Sequence, residues 1–122
     1  VMATPGSGEI SAAHDSAANA DFYEADFLAE PDRFAADVVV ASGLFHLGGH
    51  EDMERTIATM FGRARRAIAF NSLSALSPIK TPPTFLFADP VRIFEFCTEL
   101  SPLIVFRHDY LPQDFSIYLF RR

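Results

Sequence analysis

The stretch Asp-Val-Val-Val-Ala-Ser-Gly, residues 37–43, decides the fold class. Three consecutive valines favour an extended strand, and an apolar run without alternation is typical of a strand that is buried on both faces. Strands of that kind occur in parallel sheets with helices packed against them. The Ser-Gly pair marks the turn into a glycine-rich loop over 44–50. We therefore predict a central strand at 37–43.

Helices and strands alternate on the C-terminal side of this strand. The apolar periodicity, the prolines and the turn residues predict a helix over 50–65, a strand over 67–72, a loop over 75–88, a helix from 90 to about 100, and strands over 103–109 and 114–121. Asp89 and Pro90 fit the cap and the first position of the second helix. The short link between the last two strands requires antiparallel pairing. The prediction is an α/β fold, mainly parallel with a C-terminal antiparallel hairpin.

Length and composition predict one globular domain. Apolar residues make up 49% and charged residues 21% of the 122 residues. Residues 1–20 are small and polar, and we expect a flexible lead with at most a short helix there. A short strand fits 21–25, and the α/β domain spans 21–122. With Cys97 as the single cysteine, internal disulfides and cysteine-cluster zinc sites are excluded, and a cytoplasmic location is the default.

Charge and hydropathy limit the classes of partner. The formal net charge is −6, and the acidic residues are concentrated in the N-terminal half while arginines dominate the C-terminal half. An acidic protein without a basic, aromatic-interleaved run is not expected to bind nucleic acid. No apolar run is long enough for a membrane span, so no membrane association is expected. The charge asymmetry is compatible with head-to-tail or self-complementary association, but scattered solvated charges are the favoured explanation.

Five motifs carry a resemblance to a known family. In order they are Ala-Asp-Phe-Leu (25–28), Asp-Val-Val-Val-Ala-Ser-Gly-Leu-Phe-His (37–46), Phe-Asn-Ser-Leu-Ser (70–74), Ala-Asp-Pro (88–90), and a final set within 100–120. Residues 20–122 thereby resemble the C-terminal half of class I methyltransferases that use S-adenosylmethionine. The resemblance implies a partial Rossmann-like sheet, with 21–25 as the family's third strand and 37–43 as its fourth. It also implies that the strands at 37–43, 67–72, 114–121 and 103–109 are adjacent in that order.

The first two strands of the family have no counterpart in these residues. The family's glycine-rich cofactor loop follows strand one, and its ribose-binding acid ends strand two. The only upstream glycine cluster, residues 5–8, follows no apolar strand and therefore lacks the context of a cofactor loop. We expect a truncated methyltransferase-like protein with impaired or absent S-adenosylmethionine binding and an unknown methyl acceptor. The alternative is a non-catalytic α/β module for dimerisation or binding.

The resemblance also implies a set of cofactor-binding residues. Asp26 and Phe27 match the family's pair beside the adenine. The segment after the fourth strand faces the methionine part of the cofactor and the substrate; its matching residues are Ser42, Gly43, Phe45 and His46. His46 departs from the asparagine that is common among relatives. Asn71, at the end of the predicted strand 67–72, is expected to face the same crevice. Open α/β sheets bind ligands at the carboxyl ends of their parallel strands. Turn capping explains Asp26 and Asn71 equally well. No catalytic residue is predicted.

Other candidate constellations are weaker. His46 and His50 have the spacing of helical metal ligands, but the intervening Gly48 and Gly49 argue against a rigid site, and no metal site is predicted. His108 and Asp109 are neighbours in a strand and point to opposite faces, which excludes a direct acid–base pair. Cys97 falls on the apolar face of a helix and is expected to be a buried hydrophobe.

The missing strands predict a homodimer. In the family, strand one lies beside strand four, so its loss leaves 37–43 with an open edge that has neither lysine nor proline. Such an edge is a template for pairing with another chain. We expect a homodimer through the backbone between Val38 and Ser42. The alternative is that residues 1–25 fold back onto this edge; their polar, alanine-rich sequence makes them a poor strand.

Overall fold

The computed structural model describes residues 2–3, 21–22, 36–43, 45 and 47–122. The elements, in chain order, are β1 (Met2–Ala3), β2 (Asp21–Phe22), β3 (Ala36–Ala41), α1 (His50–Arg63), β4 (Ala64–Leu73), α2 (Pro90–Leu100), β5 (Leu103–Arg107) and β6 (Asp114–Phe120). The rest of the predicted lead over 1–20 lies outside the described residues. Neither helix in the described ranges is long and apolar enough to cross a membrane.

All strands belong to one mixed sheet with the order β2-β1-β3-β4-β6-β5. β3 and β4 pair in parallel, while β6 is antiparallel to both β4 and β5. β3, β4 and β5 therefore run in the same direction, and β6 lies inverted between two of them. This arrangement confirms the predicted α/β class, the C-terminal hairpin and the order of the four principal strands.

The boundary between α1 and β4 differs from the prediction. The predicted helix over 50–65 ends at Arg63, and the strand begins at Ala64 without a loop. Ala64 pairs with Ala36 of β3 and therefore belongs to the strand, although the helical periodicity of the sequence placed it in α1. Strand β5 ends at Arg107 instead of residue 109, because the ladder with β6 ends where Arg107 pairs with Ser116.

The core lies on one face of the sheet, beneath α1 and α2. Its buried apolar side chains come from both helices and from alternate positions of the strands; the largest include Val39, Met53, Ile57, Met60, Ile68, Ile93, Phe115, Ile117 and Leu119.

The α2 cap forms as predicted, because the Asp89 carboxylate accepts hydrogen bonds from the N–H groups of Val91 and Arg92. Cys97 is fully buried, as expected, and burial raises the pKa of its thiol to about 12.

The second face of the sheet is less well covered. Four apolar side chains of β5 and β6 on this face remain 37–46% exposed: Leu103, Val105, Tyr118 and Phe120. On β3 and β4 the corresponding side chains, such as Val40 and Ala69, are partly buried. Val38 and Val40 of β3 are only partly buried, so the burial of this strand on both faces, which the valine run predicted, is incomplete.

The prediction of an open edge at β3 is wrong at two positions. Met2 pairs with Val40 and Ala3 with Val39, both antiparallel, so β1 lies along the edge that was expected to be free. β1 in turn pairs with Asp21 and Phe22 of β2. Backbone N–H and C=O groups form a ladder whatever the side chains are, which lets a segment of low strand propensity pair here.

Arg121 closes the loop-free junction between α1 and β4. Its backbone N–H donates to the Arg66 carbonyl at 2.7 Å. Its guanidinium donates to the carbonyls of Ala64, at 2.7 Å, and Phe61, and lies 4.1 Å from the centroid of the Phe61 ring. The last carbonyl groups of a helix are incompletely paired within it, and Arg121 supplies a further donor to Phe61 and one to Ala64, just beyond the helix.

We expect Arg121→Lys to lower the free energy of unfolding by about 1–2 kcal/mol, because an ammonium cannot reproduce the planar fork that reaches both carbonyls. Urea denaturation measures the change. The matched control is Arg122→Lys, since Arg122 is exposed and follows the strand. Equal stability of the two variants would contradict this role for Arg121.

Candidate functional site

A crevice opens where the two parallel strands end. Ser42 and Gly43 follow β3, and Asn71 lies near the end of β4. Gly43 has a φ of +67°, a left-handed conformation that favours glycine and turns the chain away from the sheet. The Gly43 N–H donates to the side-chain oxygen of Asn71 at 3.2 Å. Because β3 and β4 are parallel, their carboxyl ends meet at one edge, where α/β sheets bind ligands.

The crevice has a volume of 410 Å³ and mostly apolar walls. Its lining residues are Ser42, Gly43, Phe45, Asn71, Ser72, Leu73, Phe85 and Asp114. Phe45 is buried and packs edge-on against Phe70, with ring centroids 5.4 Å apart. An adjoining cavity of 310 Å³ shares Ser42 and Asn71 and continues along the less covered sheet face to Ser116 and Tyr118.

A chain of polar side chains runs along the edge of the crevice. The amide nitrogen of Asn71 lies 3.5 Å from Asp114 Oδ2, and the Tyr110 hydroxyl donates to the same oxygen at 2.6 Å. The Tyr110 oxygen also lies 2.6 Å from Ser116 Oγ. The network therefore links the turn after β3, through Asn71 and Asp114, to the loop between β5 and β6.

The environment of Tyr110 disfavours its phenolate. Burial, together with donation to the Asp114 carboxylate, raises the pKa of Tyr110 to about 12, against an opposing contribution from the hydrogen bond with Ser116. The hydroxyl therefore stays protonated at neutral pH and acts as a fixed donor to Asp114.

The structure brings together only some of the residues that the sequence singled out. Ser42, Gly43 and Phe45 line the crevice with Asn71. Asp26, Phe27 and His46 lie outside the described residues. The assignment of all these residues to a cofactor stays a prediction.

Sequence reasoning missed Asp114, Tyr110 and Ser116. The signal that could have found them is the register of β6, whose Asp114 pairs with Leu73 and whose Ser116 pairs with Asn71. The short hairpin link already required β6 to run antiparallel to β5. The resemblance implied its position beside β4, but the register that sets Asp114 opposite Leu73 follows only from the pairing across the sheet.

Two histidines of the described residues, His50 and His108, form hydrogen bonds within the fold. His50 Nε2 accepts the backbone N–H of Asp89 at 3.0 Å and so connects the starts of the two helices. His108 lies 2.7 Å from the hydroxyl of buried Ser74, whereas Asp109 pairs with Arg107. Over the described ranges, no group of three or more histidine, cysteine, aspartate or glutamate side chains is placed to hold a metal ion.

The described lining does not fit the whole of S-adenosylmethionine. The Gly43 N–H is engaged by Asn71, and the lining contains no lysine or arginine for the methionine carboxylate. A Cβ at Gly43 would meet nothing within 4 Å, so the turn does not form a close backbone cradle. The only carboxylate of this lining, Asp114, is held by Tyr110 and Asn71.

Comparison with known proteins identifies the fold. No family model matches the chain. No curated protein matches it either. Among solved structures, the chain is similar to the crystal structure of magnesium protoporphyrin IX methyltransferase (ChlM) from Synechocystis PCC 6803 with bound SAH. The TM-score is 0.54 at 10% sequence identity, and the match covers 71% of this chain and 45% of that one. The chain thus spans less than half the length of that structure. At the level of the fold, the resemblance to S-adenosylmethionine-dependent methyltransferases is confirmed.

We expect the stability of the protein to fall between pH 10 and 12 through Tyr110. Over this range the phenol ionises in the unfolded chain, where its pKa is near 10.0, but stays protonated in the folded chain, so rising pH favours unfolding. Tyr110→Phe should flatten this part of the stability profile, measured by urea denaturation with phenolate absorbance as the titration signal. Tyr118→Phe, which removes a phenol outside the network, is the control. An identical profile for wild type and Tyr110→Phe would contradict the assigned environment.

Proposed function

We propose that this chain is a methyltransferase-like α/β module that carries the acceptor side of a methyl-transfer crevice and binds S-adenosylmethionine weakly or not at all by itself. The observation that carries the proposal is the crevice formed by Ser42, Gly43 and Asn71 at the carboxyl ends of two parallel strands. The crevice lies in a fold shared with a methyltransferase whose structure holds SAH.

The chemistry of the lining supports the acceptor side over the cofactor side. Phe45, Leu73 and Phe85 offer apolar surface to the body of a small molecule. Asn71 and Asp114 provide a few convergent polar groups that could orient it. Dinucleotide-type and related cofactors depend instead on a glycine loop that lets the backbone approach them closely. In the described residues, the turn at Gly43 is not such a loop, because a Cβ there would meet nothing within 4 Å.

A second candidate function is a dimerisation module. The outer edge of β3 is paired by a strand of only two residues, β1, at Val39 and Val40. Two residues contribute few ladder hydrogen bonds, so β1 is easier to displace from β3 than β4 is. We propose that a homodimer, if it forms, uses the β3 backbone between Val38 and Ser42 with β1 displaced or exchanged between chains.

Isothermal calorimetry tests the principal proposal. For the 122-residue chain we expect a Kd for S-adenosylmethionine of roughly 1 mM or weaker, which corresponds to about −4 kcal/mol. Any residual binding should be abolished by Ser42→Tyr, which fills the mouth of the crevice. Thr98→Tyr, on the exposed side of α2, should leave it unchanged. A Kd near 1 µM would show that the chain holds a complete cofactor site.

Sedimentation equilibrium tests the dimer. A single species of 13.5 kDa at tens of micromolar would contradict the homodimer. Val40→Lys places a charge on the β3 edge, from the face opposite the core, and should shift a dimer toward monomer. The matched variant is Val105→Lys on β5, at the other edge of the sheet. A dimer that Val105→Lys disrupts and Val40→Lys leaves intact would place the interface at β5.

A further inference from the structure

The crevice contains one carboxylate whose charge no neighbouring cation balances. Both hydrogen bonds to the Asp114 carboxylate, from Tyr110 and from Asn71, end on Oδ2. Among the described residues, Oδ1 has no hydrogen-bond donor. The described lining also contains no lysine or arginine. The nearest arginine to this network along the chain, Arg107, is engaged by both carboxylate oxygens of Asp109, at 3.0 and 3.1 Å.

The donors on Oδ2 fix the orientation of this carboxylate. Tyr110 donates at 2.6 Å and keeps its proton, since its pKa is raised to about 12. Ser116 in turn holds the Tyr110 oxygen at 2.6 Å. A carboxylate that is held on one oxygen presents the other to a ligand in a defined position. The group that a carboxylate binds most strongly is a cationic N–H donor.

The side chains around Asp114 indicate what kind of molecule could carry this cationic group. Phe45, Leu73 and Phe85 supply apolar surface, and the negative face of an aromatic ring is also attracted to a cation. A volume of 410 Å³ accommodates a small organic molecule. The combination favours a molecule with an ammonium group at one end and an apolar body at the other.

We propose that the crevice binds a small organic amine in its ammonium form, with an N–H donated to Asp114 Oδ1 and the apolar body against Phe45, Leu73 and Phe85. The inference names a ligand class for the crevice of the proposed function and assigns the ammonium no role as methyl acceptor, because a protonated amine has no free electron pair. Binding of the ammonium form itself requires neither the cofactor nor the transfer reaction.

Nuclear magnetic resonance titration of the 122-residue chain, without S-adenosylmethionine, tests the proposal. The probes are 2-phenylethylammonium, the neutral 2-phenylethanol and the anionic 3-phenylpropionate, which share an aromatic body and differ in charge. We expect saturable shifts of the backbone amides of Gly43, Asn71 and Asp114 with the ammonium probe. Its Kd should be at least about tenfold lower than that of the alcohol, and the anion should bind most weakly.

Two carboxylate variants localise the effect. Asp114→Asn keeps the shape of the side chain but removes its charge, and should abolish the preference for the ammonium probe over the alcohol. Glu95→Gln removes a charge from the exposed side of α2, at a carboxylate that does not line the crevice. It should leave the preference intact.

Several results would overturn the proposal. They are equal affinity of wild type for the ammonium and the alcohol, shifts that map away from the crevice, or an undiminished preference in Asp114→Asn. If Asp114→Asn does not fold, the three probes on wild type still decide, because only a charged contact separates them. Failure of the amine to bind while S-adenosylmethionine binds weakly would refute this inference alone. A tight cofactor complex would instead refute the proposed function.

Discussion

The ladder between β4 and β6 is the constraint on which the rest of the structure depends. It joins seven residue pairs, from Ala67 opposite Phe120 to Leu73 opposite Asp114. At the end where Ala67 pairs with Phe120, the ladder places Arg121 next to the carbonyl groups at the junction of α1 and β4. At the end where Leu73 pairs with Asp114, it places Asp114 beside the crevice. One run of backbone hydrogen bonds thus stabilises the base of the sheet and positions the polar groups of the site.

Much of this fold follows from local sequence, because its main signals are short-range. The valine run of residues 37–43, the helical stripe of α1 and the Asp89 cap of α2 each specify an element without reference to distant residues. The short link between the last two strands then specifies the hairpin. The pairing of β1 with β3 could not be predicted in the same way, since it uses backbone groups that carry no side-chain signature. The start of β4 at Ala64 likewise depends on pairing across the sheet.

The residues of the candidate site show the same difference between features that local sequence predicts and features that depend on pairing across the sheet. Ser42, Gly43 and Asn71 could be predicted because the ends of parallel strands meet at one edge, whatever the rest of the sheet does. Asp114 lies 43 residues beyond Asn71, and its contact with Asn71 depends on the register of β6. A shift of that register by one residue would turn Asp114 to the core face. Site residues contributed by long-range register are therefore invisible to a single sequence, even when the fold class is correct.

The connections of the sheet also explain why one face is left partly bare. From β3 to β4 and from β4 to β5, the chain makes two crossovers that advance in the same direction across the sheet. Two crossovers that have the same handedness and advance in the same direction place their helices on the same face of the sheet. The helices α1 and α2 therefore share a single core. Neither connection can cover the opposite face, where Val105 and Phe120 remain exposed. The crevice lies at the rim between the two faces, and the cavity beside it opens onto the exposed one. A molecule that packed against that face would therefore also border the crevice, and its association would be coupled to the shape of the crevice.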